Sequence, residues 1–171
     1  MSQNRLIYSD SEQSADMLYA TGIFVPDPFL WGQSTEESLV IVSPLEVARV
    51  RKEAKDRFNV YSFEEAKAKF ELENLSPVNQ IKGISKLYGI NEWQVPANFP
   101  LFIAQELADD VSLKAIKNFF PERISKSDEE VKLIREGVEL AETGMYRAFE
   151  VLAEASISGD QIIWQNEVLT S

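Results

Sequence analysis

Short runs of β-branched and aromatic residues alternate along this chain with longer stretches in which apolar positions recur every three or four residues. The short runs are Leu6–Tyr8, Phe29–Trp31, Leu39–Val42, Asn59–Tyr61, Trp93–Val95 and Val111–Leu113. Each is bounded by Ser, Pro, Gly or Asp, the pattern of strands closed by turns. The stretches between most of them have helical period, so the chain reads as α/β: a mixed β-sheet flanked by helices. Phe29–Trp31 and Leu39–Val42 are separated by Gly32–Ser38, too short for a helical crossover, so these two strands are expected to form an antiparallel hairpin.

Four helix starts are written in local chemistry. Ser43-Pro44-Leu45-Glu46 places a hydroxyl at the N-cap, proline at the first helical position and a carboxylate two residues later. Ser62-Phe63-Glu64-Glu65 repeats the capping box, and Ser76-Pro77 has the cap and the proline. Ser127-Asp128-Glu129-Glu130 brings three acids into a first turn, where the helix dipole favours them.

Behind that last cap, Val131, Ile134, Val138, Ala141, Met145, Ala148 and Leu152 follow one another at alternating spacings of three and four, with Phe149 alongside. This predicts one long C-terminal helix of about seven turns over 128–155. Burying the six larger members would stabilise a contact by about 10 kcal/mol as an upper figure. The stripe could dock on the preceding domain, but Pro121 and the polar Glu122–Ser127 read as a linker, so it is expected to pack against a surface outside this chain. The division expected is a first domain over 1–125 and a second, partial one over 126–171.

Composition narrows the chemistry. The 171 residues carry 28 acids against 17 bases, a net charge of −11 that repels phosphate backbones and anionic headgroups. No nucleic acid and no membrane are therefore expected as partners. The chain has no cysteine and no histidine, which removes thiolate nucleophiles, the usual neutral-pH base and the commonest transition-metal ligand. No apolar run reaches the roughly 18 residues of a membrane span, and Met1–Arg5 opens no signal-peptide pattern, so a cytoplasmic protein is expected.

Phosphate loops and the common nucleophile and zinc motifs are absent from the sequence. Three segments remain. Asp109-Asp110 sits where a helix should end, either a solvated turn or a metal or catalytic pair. Arg49–Arg57 is a local basic run, readable as a solvated helix face with pairs such as Arg49–Glu53, or as an anion or subunit contact. Thr21–Gly32 packs Phe24, Phe29 and Trp31 among two prolines, either as core or as a rigid aromatic edge that meets a partner or substrate.

The order Leu6-Ile7-Tyr8, Ser14–Gly22 with its Tyr19-Ala20-Thr21-Gly22 ending, and Pro26–Leu30 resembles the start of the creatinase, prolidase and aminopeptidase P family. Val42–Arg51 looks like that family's strand-to-helix step. Phe120–Arg135 is similar to the stretch that joins the family's N-terminal domain to the first helix of its pita-bread catalytic domain. The resemblance spans residues 5–155. It implies the creatinase-like N-terminal fold and a parent enzyme that hydrolyses bonds preceding proline in peptide substrates. Two divalent ions, Mn, Co or Zn, would be held by two Asp, one His and two Glu of the catalytic domain. No such ligand can be carried over onto this chain, so no catalytic, cofactor-binding or metal residues are expected here.

The resemblance therefore implies a fragment: a non-catalytic N-terminal part serving oligomerisation, as a homodimer, and substrate gating beside a catalytic domain outside this chain. The implied subunit-interface or active-site rim comprises Phe24, Asp27, Phe29, Trp31, Arg49 and Arg51. The alternative is a stand-alone creatinase-like interaction module dimerising through helix 128–155, with Val131, Ile134, Val138, Met145, Phe149 and Leu152 as its exposed stripe.

Overall fold

The computed structural model describes residues 4–169; Met1–Gln3, Thr170 and Ser171 lie outside the described residues. Contacts divide the chain into two units, residues 1–121 and 122–171.

The first unit runs β1 (Arg5–Ser9), α1 (Ala15–Thr21), β2 (Phe29–Gln33), β3 (Ser38–Val42), α2 (Val47–Ala54), β4 (Asn59–Ser62), α3 (Phe63–Lys69), α4 (Pro77–Tyr88), β5 (Glu92–Pro96), α5 (Leu101–Leu107) and β6 (Ser112–Ile116). Its six strands form one mixed sheet in the order β4-β3-β2-β1-β5-β6. β2 is antiparallel to both β1 and β3, as the short Gly32–Ser38 connection requires, whereas the β3–β4, β1–β5 and β5–β6 pairs are parallel. Parallel neighbours need a long crossover, and helices supply it.

Both faces of the sheet are covered, so alternate residues of one strand enter different cores. Leu6, Leu30, Leu39, Ile41, Trp93 and Val95 pack with Phe70, Ile81, Ile84, Ile103 and Leu107. Ile7, Phe29, Trp31, Val40 and Val42 pack with Met17, Val50, Ala54, Phe58, Phe119 and Phe120. This double burial explains the unbroken apolar run Leu39–Val42: neither side of β3 faces water.

The helix starts follow the local chemistry with one exception. Ser62 and Ser127 form complete capping boxes with Glu65 and Glu130, and Ser76 caps α4 ahead of Pro77. Ser43 does not cap α2. Pro44–Glu46 form a turn, α2 begins at Val47, and the Ser43 Oγ is buried without a hydrogen-bond partner among the described residues. The turn uses the Ser43 carbonyl, which accepts from the Glu46 and Val47 N–H groups, while the Glu46 carboxylate accepts from Arg49 instead of reaching back. β6 starts one residue later than expected and runs on to Ile116, because the Val111 N–H is held by Leu107 at the end of α5.

A 3-10 turn, Pro121–Ile124, leads from the first unit into the second, where a linker was expected. It is followed by α6 (Asp128–Glu154) and a small antiparallel sheet of β7 (Ser156–Ser158), β8 (Gln161–Trp164) and β9 (Glu167–Val168). Gly159 turns β7 into β8 with φ 64°, and Gln165 and Asn166 both take positive φ, 51° and 67°, in the two-residue β8–β9 turn. Trp164 Nε1 donates to Glu154 Oε2 at 3.0 Å, tying the meander to the helix end.

Candidate functional site

The surface corner formed by the 22–28 loop, the Pro44–Glu46 turn and α2 collects several of the singled-out residues. The hairpin register pairs Leu30 with Ile41, so residues just before β2 and just after β3 lie side by side. Phe24, Pro26, Asp27, Pro28, Pro44 and Leu45 are exposed there, Leu45 at 92%. Arg49 holds the loop from beneath: its Nη2 donates to the Phe24 carbonyl at 2.7 Å, its Nε to Glu46 at 3.0 Å and its Nη1 to Glu53 at 3.2 Å. The Glu46 and Glu53 carboxylates push the guanidinium's pKa up, so it stays charged. Ser11 anchors the other side of the loop, accepting from the Val25 N–H at 2.6 Å and donating to its carbonyl at 3.2 Å.

The rest of the anticipated rim is placed elsewhere. Phe29 and Trp31 are buried in the core, 4% and 3% exposed, and Trp31 packs edge-on against Phe120. Neither presents an aromatic edge on the surface of this chain; their alternation in β2 points both to the α1/α2 side. Arg51 faces away from the loop, donating to the Val60 carbonyl at 3.1 Å and to Glu65 at 2.5 Å. Arg51 and the Ser62 cap hold the Glu65 carboxyl at about 2. The arginines of the basic run thus brace backbone: Arg57 too turns back onto the Ala54 and Glu53 carbonyls.

A second cluster has no counterpart in the linear pattern. The Glu37 side chain, at the mouth of the β2–β3 turn, is only 6% exposed. It accepts from Asn59 Nδ2 at 2.6 Å, Tyr61 OH at 2.5 Å, Tyr88 OH and Lys69 Nζ at 3.1 Å. Lys69 also donates to Tyr61 OH and lies over the Tyr61 ring, 4.4 Å from its centroid. Burial pushes the Glu37 pKa up, but these hydrogen bonds outweigh it and leave the carboxyl below its usual range. Burial raises Tyr61 and Tyr88, and the same carboxylate adds to the rise, so both stay protonated donors. Donors from β4, α3 and α4 satisfy this carboxylate, which makes it a structural knot rather than a reactive group.

Among the described residues, no group of three Asp, Glu, His or Cys is positioned to hold a metal ion. Of the Asp109-Asp110 pair, Asp110 pairs with Lys82 at 2.6 Å, beside a cleft of about 420 Å³ lined by Lys82, Lys86 and Asn91.

On α6 the stripe residues Val131, Ile134, Val138, Met145, Phe149 and Leu152 are between 42% and 58% exposed, and the helix contains no buried residue. No described helix is long and apolar enough to cross a membrane.

The fold is shared with solved peptidase structures. It superposes on an Xaa-Pro dipeptidase from Bacillus anthracis with a TM-score of 0.69 at 12% identity, over 92% of this chain and 41% of that one. An X-Pro aminopeptidase from Thermotoga maritima MSB8 gives 0.68 at 14% identity, over 85% and 40%. The prolidase from Pyrococcus horikoshii OT3 gives 0.66 at 19% identity, over 91% and 40%. The chain therefore spans about 40% of the length of these structures. No protein-family model matches the sequence. No curated protein matches it either.

Proposed function

We propose that this chain is the non-catalytic N-terminal part of a cytoplasmic proline-directed metallopeptidase, of Xaa-Pro aminopeptidase or dipeptidase type. Its role is oligomerisation and substrate gating, and the two divalent ions and the peptide bond being cleaved belong to a catalytic domain outside this chain. One observation carries the reading: the fold is shared with Xaa-Pro peptidases over nine-tenths of this chain but only two-fifths of theirs. The motif order from Leu6 to Arg135 in the sequence supports it independently of the fold. The Phe24–Leu45 corner supplies the gating surface, since Arg49 and the prolines hold its apolar groups outward at little entropic cost.

The chain alone is expected to show no turnover of Xaa-Pro dipeptides or tripeptides with added Mn. EDTA-sensitive hydrolysis by the purified chain would overturn the assignment. The coding sequence after Ser171 is a second check, expected to supply Asp, Asp, His, Glu and Glu in that order; a stop codon there counts against the parent enzyme. The exposed α6 stripe favours a second reading, an interaction module that dimerises through the helix, for which Val138→Asp is expected to convert a dimer to monomer in sedimentation.

A further inference from the structure

The two edges of the six-stranded sheet are finished differently. On β4 the outward groups are occupied: the Val60 carbonyl accepts from Arg51 at 3.1 Å and the Ser62 N–H donates to Glu65 at 2.7 Å. Blocking an edge in this way prevents further strand pairing. Among the described residues no side chain occupies the outward groups of β6 in this way. The Ser112 N–H donates across to the Asn91 carbonyl at 2.9 Å, so in this parallel ladder Ser112, Lys114 and Ile116 turn their backbone groups toward β5. Leu113 and Ala115 turn theirs outward, and among the described residues β6 has no strand on that side.

Beside this edge runs an open groove of about 470 Å³, lined by Ala104 of α5, by Ala108, Asp109 and Asp110 just after that helix, and by Leu113. Small side chains there leave room for another side chain or helix to approach. The edge is also polarised: Asp109 is exposed at its start and Lys117 just past its end.

We propose that β6 pairs antiparallel with β6 of a second copy of this chain, about a two-fold axis at Leu113. The charges select this occupant. A two-fold antiparallel arrangement centred on Leu113 sets Asp109 of each copy against Lys117 of the other, and Lys114 against Ser112. Centring on Lys114 would oppose two lysines, and a parallel arrangement would bring like ends together. The two Leu113 side chains then meet over the Ala104/Ala108 groove, and the interface closes on itself rather than propagating. The sheet becomes continuous across the dimer, with both outer edges being the blocked β4. This pairing stands whether or not the chain belongs to a peptidase.

Sedimentation equilibrium on the whole chain tests it. The expected result is a dimer. Ala115→Pro removes one outward N–H at an edge position, where proline is tolerated, and should weaken the dimer at least tenfold with the far-UV circular dichroism unchanged. Lys117→Asp should weaken it as well, and the double exchange Asp109→Lys with Lys117→Asp should restore it. Should Ala115→Pro not fold, the charge exchange decides alone. A chain that is monomeric at every concentration overturns the proposal. So does a dimer indifferent to both the proline and the charge exchange, or one abolished by Val138→Asp but untouched by Ala115→Pro.

Discussion

Glu37→Ala is expected to lower the free energy of unfolding by about 3 kcal/mol, read as a fall in the urea midpoint at an unchanged slope. The cost does not come from one lost ion pair. Removing the carboxylate leaves Asn59, Tyr61, Tyr88 and Lys69 without their shared acceptor, and the Tyr61 and Tyr88 hydroxyls are partly buried. A buried donor deprived of its partner costs more than an average hydrogen bond contributes. Lys69→Ala should cost less, about 1 kcal/mol, because its side chain is 34% exposed and three neutral donors remain on Glu37.

The same knot predicts a pH dependence. Glu37 is held below its unfolded pKa, so its contribution is complete above about pH 5 and is lost as pH falls through the folded value. Wild type should therefore lose stability more steeply than Glu37→Gln as the pH falls below about 5, with urea midpoints at pH 7 and pH 4 as the measurement. Equal slopes for the two proteins would show that the carboxylate is not held in this way.

Gly83→Ala should destabilise the protein by about 2 kcal/mol, against the usual gain of about 1 kcal/mol for that exchange inside a helix. A Cβ at Gly83 would lie 2.7 Å from the Phe70 carbonyl oxygen and 2.4 Å from Leu72 Cδ2. The carbonyl belongs to backbone and cannot swing aside as a side-chain tip could. Gly137, in the exposed helix α6, provides the control: a Cβ there meets nothing within 4 Å, so Gly137→Ala should be stabilising. A Gly83→Ala protein as stable as wild type would mean that α4 and the Phe70–Leu72 segment are less closely packed than described. Thermal or urea unfolding of the two variants side by side gives the answer.

Most of the architecture was legible because it is local. The serines at 62, 76 and 127 sit where one side-chain oxygen can reach an N–H three residues on, and that geometry depends on nothing distant. Ser43 shows the limit of such reasoning, since the same residue types led to a turn once Glu46 found Arg49. The β7–β9 meander was missed although its turns were signalled by Gly159 and by Asn166, because the helical stripe ahead of it dominated the reading of the tail. The Glu37 knot had no legible signal at all. Its donors lie 22, 24, 32 and 51 residues away along the chain, and no spacing rule links them.

From the order of its residues alone, this protein declares a mixed α/β sheet, a β2–β3 hairpin, three of its four anticipated caps and a long amphipathic last helix. These follow from side-chain period and short-range hydrogen bonding, which the chain carries wherever it goes. That Phe29 and Trp31 are buried while Phe24 is exposed, which strands end the described sheet and where a lone glutamate finds four donors were settled only by the folded sheet. Those outcomes depend on segments far apart in the chain being brought within a few ångströms of one another, and only packing does that.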